Sequence, residues 1–193
     1  MTDSSSQKEK LVQSVKDFAG RELVWEKPRA LRREFELRSG EEVLATLRWS
    51  KRWWSTLAEA TSAEEQWTFK RSGFWKPKVT ARRPGSETDL ATFELGWNGA
   101  GVLTLTGGAT YRWDNEGFWG STFVWKDPAG NPLVRFHHQM MKNKGEVEVS
   151  PSASTLADLP FLIVFGWYLA VSLMEERSAA AGAGGGGGAA GGG

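Results

Sequence analysis

A chain of 193 residues with 40% apolar and 24% charged residues has the balance of a single globular domain. It contains no Cys, which removes disulfides, zinc thiolate sites, iron–sulfur clusters and cysteine nucleophiles together. The net charge of +1 hides an asymmetry: residues 21–83 hold 15 Lys/Arg against 9 Asp/Glu, whereas residues 84–177 hold 6 against 11.

The first twenty residues are polar, with Leu11, Val12, Val15 and Phe18 at helical spacing, which predicts a short peripheral helix within 1–20. The opening MTDSSSQKEK carries Asp3 and Glu9 and lacks the basic start and apolar run of an export signal, so a cytoplasmic address is expected. From Arg21 onward the pattern changes to short runs of period near two, broken by Gly, Pro, Asn and Asp. The runs are 34–38, 43–49, 57–60, 66–71, 75–81, 89–95, 102–106, 110–113, 121–126, 133–137 and 146–149. Asp127-Pro128-Ala129-Gly130-Asn131-Pro132 is the clearest turn and predicts a hairpin joining Phe123-Val124-Trp125 to Leu133-Val134-Arg135-Phe136. Eleven Trp and ten Phe against two Tyr suit strands and bulky packing. With no strand–helix–strand alternation, the expectation is a mainly β fold: an antiparallel barrel of about twelve short strands.

At Leu156 the pattern changes again. Leu159 to Met174 is apolar almost all round, with Asp158 placed to cap it and Pro160 in its first turn. This predicts a helix over 156–176, around which the barrel is built or by which it is closed. A helix apolar on every side lies inside a protein or crosses a bilayer. The uncharged run spans about 24 Å, short of a bilayer core of about 30 Å. Trp167 and Tyr168 sit mid-run rather than at interfaces, and acidic residues flank it. The buried reading is preferred, and a tail anchor at 159–174 under a cytoplasmic β-domain is the alternative. The domain is thus expected over 21–177, and the Gly/Ala-rich 178–193 is predicted to be disordered.

Tyr111-Arg112-Trp113, then Gly120-Ser121-Thr122-Phe123-Val124-Trp125-Lys126-Asp127, the Gly130 turn, Leu133-Val134-Arg135-Phe136 and the 159–174 helix together form a pattern over 21–177. It resembles the tubby C-terminal-like group, which includes tubby proteins, phospholipid scramblases and plant LURP-one-related proteins. The resemblance implies a helix threaded through the barrel and a binding or membrane-associated module, since tubby domains bind phosphoinositide headgroups and scramblases act on lipids. It transfers no site residue, and no calcium-loop pattern accompanies it.

No catalytic, metal-binding or cofactor-binding residue stands out, and the chain reads as non-enzymatic. His137 and His138, the two histidines, point to opposite faces if they lie on one strand, so they do not share a metal. Gly96, Gly99 and Gly101 lack the Lys-Ser/Thr of a phosphate loop and read as a turn. There is no HExxH or Gly-x-Ser-x-Gly pattern, and an enzyme of unknown class is the third reading. The candidate contact is Arg48-Trp49-Ser50-Lys51-Arg52-Trp53-Trp54, where cations alternate with indoles, as at lipid interfaces. Core packing by the indoles, with solvated cations on the other face, explains it without any ligand and is the preferred reading. Arg48, Lys51, Arg52, Trp53 and Trp54, joined by Lys70 and Arg71, are the expected contacts for an anionic phospholipid headgroup; Lys76, Lys78, Arg82 and Arg83 extend them if their strands are adjacent. Nucleic acid is not the expected partner.

Overall fold

The computed structural model describes residues 13–29, 32–50, 56–73, 77–96, 98–116, 121–139 and 144–184. Twelve strands form a closed antiparallel barrel in which each strand pairs with its sequence neighbours, and β1 closes the ring on β12. They are β1 Leu23–Glu26, β2 Glu34–Ser39, β3 Glu42–Trp49, β4 Ala58–Ser62, β5 Gln66–Ser72 and β6 Lys78–Arg82. They continue as β7 Asp89–Leu95, β8 Gly101–Leu105, β9 Thr110–Glu116, β10 Thr122–Lys126, β11 Pro132–Gln139 and β12 Lys144–Val149. Closure leaves no sheet edge unpaired. Of these strands only β1 goes unnamed in the sequence runs; its four residues alternate buried and half-buried, and it carries the closing register from Leu23↔Val147 to Glu26↔Lys144. In the β10–β11 hairpin, Gly130 takes φ +91°, and the Asp127 carboxylate accepts from both the backbone N–H and the side-chain amide of Asn131, each at 2.8 Å. These bonds hold the Asp127 carboxyl below its ordinary range.

Among the described residues one α-helix, α1, runs Leu159–Gly184. Its buried part occupies the barrel's interior, where aromatic rings from opposite walls meet it: Trp25 and Phe35 against Trp167, Phe69 and Phe93 against Phe165, and Trp49 against Tyr168. Ile163, Val164, Phe165, Trp167 and Ala170 are fully buried, which is what a helix apolar on all sides requires. By length and composition alone Leu159–Gly182 could cross a membrane, with mean hydropathy 1.4, yet 78% of its apolar stretch is buried.

Two details differ from the sequence expectation. The helix does not stop near Arg177 but continues to Gly184. Ala is the strongest helix former, and extending an existing helix avoids the cost of a new nucleus. Residues 185–193 lie outside the described set. The N-terminal element is a 3-10 turn, Val15–Phe18, rather than a peripheral helix, and it is not peripheral: Val15 and Phe18 are buried in the core. Ser14 caps the turn through Lys16 N–H, while Glu64 accepts from both the Ser14 hydroxyl and Val15 N–H, pinning the turn to the β4–β5 connection.

Candidate functional site

Because sequential strands are neighbours, successive connections alternate between the two ends of the barrel. α1 enters at the end that holds the β10–β11 hairpin and leaves at the end that holds the β1–β2, β3–β4 and β5–β6 connections.

At the entry end the Asp158 carbonyl accepts from Leu162 N–H at 2.9 Å, and its carboxylate takes the Tyr111 hydroxyl at 2.7 Å. Burial, reinforced by that carboxylate, raises the Tyr111 pKa far above the ordinary phenol value. Two surface grooves lie here. One of about 670 Å³ is lined by Thr110, Tyr111, Asp127, Asn131, Leu133 and Leu156. The other, about 250 Å³, is lined by Glu65, Trp67, Arg83, Leu105 and Pro160 among others.

At the exit mouth the Arg33 guanidinium lies 4.7 Å from the centre of the Trp49 ring, and its Nε donates to Glu175 Oε1 at 3.0 Å. Arg71 pairs with Glu176, and burial lowers its pKa from the ordinary arginine value. Tyr168 stacks on Trp49 at 5.5 Å and donates to the Thr56 carbonyl at 3.0 Å; burial pushes its hydroxyl up to about 12, with Arg71 opposing the rise. The mouth thus holds two guanidiniums, each paired with a carboxylate of α1.

Of the expected headgroup contacts, the three that are described divide between the outer wall, Arg48 and Lys70, and the mouth, Arg71. Arg48 projects from the outer wall of β3 and pairs with Glu34 at 2.6 Å, with Glu59 opposite it on β4. Lys70 is exposed on the outer wall of β5, opposite Thr80. Arg71, the next residue, belongs to the mouth. Lys51, Arg52, Trp53 and Trp54 lie outside the described residues. Of the extending cations, Lys76 also lies outside them, Lys78 is opposite Glu94, Arg82 pairs with Asp89 at 2.6 Å, and Arg83 pairs with Glu65 at the other end. Alternation predicts which wall a residue faces; it does not reveal which acid waits across the ladder.

His137 and His138 do point to opposite faces. His137 is outside, 3.3 Å from Thr122 Oγ1 and 3.5 Å from Glu148. His138 faces inward and stacks on Trp167 at 5.5 Å; its Nδ1 is buried with no hydrogen-bond partner among the described residues, and burial lowers its pKa. Gly96, Gly99 and Gly101 form a turn closed by Gly96 N–H donating to the Ala100 carbonyl, as expected. Among the described residues no group of three His, Asp or Glu side chains is placed to hold a metal.

No family model, curated protein or solved structure matches this chain. What fold and geometry define is a closed twelve-stranded antiparallel barrel filled by its own C-terminal helix.

Proposed function

We propose that the protein is a non-catalytic barrel module of the tubby-like kind that binds anionic phospholipid at a membrane surface. The observation that carries this reading is the exit mouth. There, the Arg33 guanidinium lies over the Trp49 ring and Arg71 stands near the end of β5, a pairing of guanidinium and aromatic ring suited to an anionic headgroup. The interior supports a binding role, because among the described residues α1 fills the barrel with aromatic rings in mutual contact. Burial of the apolar helix supports peripheral association over the alternative of a helical anchor.

Co-sedimentation with phosphatidylcholine vesicles, with and without phosphatidylserine or a phosphoinositide, tests the proposal. Binding only to the anionic vesicles, weakening as salt rises, is the expected result. No binding at low salt removes it, and pelleting that survives alkaline carbonate favours the anchor instead.

A further inference from the structure

Where α1 leaves the barrel, two adjacent residues tie it to the wall. Glu175 accepts from Arg33 Nε at 3.0 Å and from a second nitrogen of the same guanidinium, and Glu176 pairs with Arg71. Neighbouring helical residues project about 100° apart, so each carboxylate reaches a different part of the rim. Both guanidiniums nevertheless act on one point, the Tyr168 hydroxyl: Arg71 and Arg33 each draw its pKa down, while Glu175 raises it. Neither arginine depends on its carboxylate for its position. Arg33 is seated over the Trp49 ring at 4.7 Å, and the Thr56 hydroxyl donates to the Arg71 carbonyl at 3.0 Å. The carboxylates are the loose partners, with side chains 49% and 50% exposed against 18% for Arg71. Burial still lowers the Arg71 pKa with Glu176 beside it, so a half-exposed carboxylate does not offset what that guanidinium loses in hydration. Exposed Arg29 and Arg32 stand on the same connection as Arg33 and add positive potential.

We infer that Arg33 and Arg71 form a phosphate site which Glu175 and Glu176 occupy from within the chain, and that a phosphate group binds there by displacing them. The site deepens the lipid-binding reading, on which it rests, by naming the residues that take the headgroup and the contact that holds them in check. An ion pair open to water contributes little, so exchanging it is cheap. A phosphate offers each guanidinium fork a pair of oxygens, as a carboxylate does, and a monoester carries up to two charges where one glutamate carries one. The displaced glutamates move into water that already covers half of each side chain. While the pairs are closed, the four side chains sum to zero charge and attract an anion weakly. Affinity is therefore reduced by the fraction of time the glutamates are seated, as for any site whose competent state is partly populated.

The test uses the full chain and two phosphate probes at low salt: glycerol phosphate in solution, read by calorimetry, and phosphatidylcholine vesicles with a minority of phosphatidic acid, read by co-sedimentation. Glu175→Gln with Glu176→Gln is expected to bind both probes roughly tenfold more tightly than the parent, and to melt higher when glycerol phosphate is added. In that background Arg33→Gln and Arg71→Gln each weaken binding roughly tenfold or more, whereas Arg83→Gln at the entry end leaves it unchanged. Thermal melts confirm that each variant folds; where a Gln variant does not, the Lys variant, which keeps the charge and loses the fork, replaces it and gives a smaller loss. A double glutamate variant that melts lower than the parent and binds neither probe more tightly shows the pairs to be only a clasp for α1 and overturns the site. Binding of the free ester without binding of vesicles keeps the site and removes the lipid reading. Vesicle binding that survives both arginine variants keeps the lipid reading and removes the site.

Discussion

Gly166 sits mid-helix, where a glycine should cost about 1 kcal/mol relative to Ala. Propensity alone therefore predicts that Gly166→Ala stabilises the protein. The barrel argues the reverse. A Cβ there would lie 2.4 Å from Phe136 Cζ and 2.6 Å from Trp125 Nε1, in a core where both rings are fully buried. The crowded nitrogen is engaged, for Trp125 Nε1–H donates to the Leu162 carbonyl at 2.9 Å, reaching the helix backbone over the bare glycine one turn on. The methyl thus costs about 1–3 kcal/mol of overpacking, and a displaced indole N–H costs about 1–3 kcal/mol more. Against the ~1 kcal/mol gained in propensity, net destabilisation is about 3 kcal/mol, or roughly 6–12 °C in melting temperature for a domain of this size. Gly182, on the exposed end of the same helix, has nothing within 4 Å of the point where a Cβ would stand, so Gly182→Ala is neutral or slightly stabilising. Urea and thermal unfolding of the pair, followed by circular dichroism, give opposite signs if the reasoning holds. A Gly166→Ala protein as stable as its parent refutes the close seating of α1 against β10 and β11.

Ending the chain at Ser154 deletes α1, whose buried side chains from Leu159 to Leu173 each contribute ~1.5–3 kcal/mol. Their sum exceeds the ~5–15 kcal/mol that holds a domain together, so the truncated protein should lack a cooperative transition by calorimetry; a sharp melt would show the helix to be an appendage. Tyr111→Phe frees the Asp158 carboxylate of its 2.7 Å hydroxyl bond and should cost about 1–2 kcal/mol in urea unfolding, with a loss below a few tenths counting against the contact. His138 has its pKa lowered by burial from the ordinary 6.5, so the unfolded chain takes up a proton before the folded one. Its contribution is complete above pH 6.5 and declines as pH falls through that value toward the lower folded pKa. His138→Leu, which cannot protonate, should flatten that part of the stability–pH curve; parallel curves for parent and variant would place the acid sensitivity elsewhere.

Much of the barrel is legible in the sequence because inward and outward residues alternate. In β5, Trp67 and Phe69 are buried while Lys70 is exposed, and this pattern can be read without coordinates. β1 escapes because four residues give two alternations, and its identity depends on pairing with β12, more than a hundred residues away. Val15 and Phe18 escape as core residues for the same reason: what buries them is a distant contact. The candidate site is less legible. Period two assigns Arg48 to the outer wall but says nothing of Glu34, fourteen residues earlier, which neutralises it there. Nor does it separate Lys70 on the wall from Arg71 at the mouth, since the end of a strand is where a side chain can turn to meet the helix.

The tryptophans make the same point about composition. Six of the eleven, Trp25, Trp49, Trp67, Trp113, Trp125 and Trp167, are buried, and the structure gives each a packing reason. Trp167 stacks on Trp25 at 5.9 Å because Gly145, opposite Trp25 on β12, leaves room; a Cβ there would lie 2.1 Å from the Trp167 ring. Trp113 stacks on Phe123 at 5.3 Å and meets Phe136 at a tilt of 49°. Read from composition alone, the remaining five belong to the same core. Those five, Trp53, Trp54, Trp75, Trp97 and Trp119, lie outside the described residues, so the structure gives a packing reason for six indoles and composition does not separate the two sets.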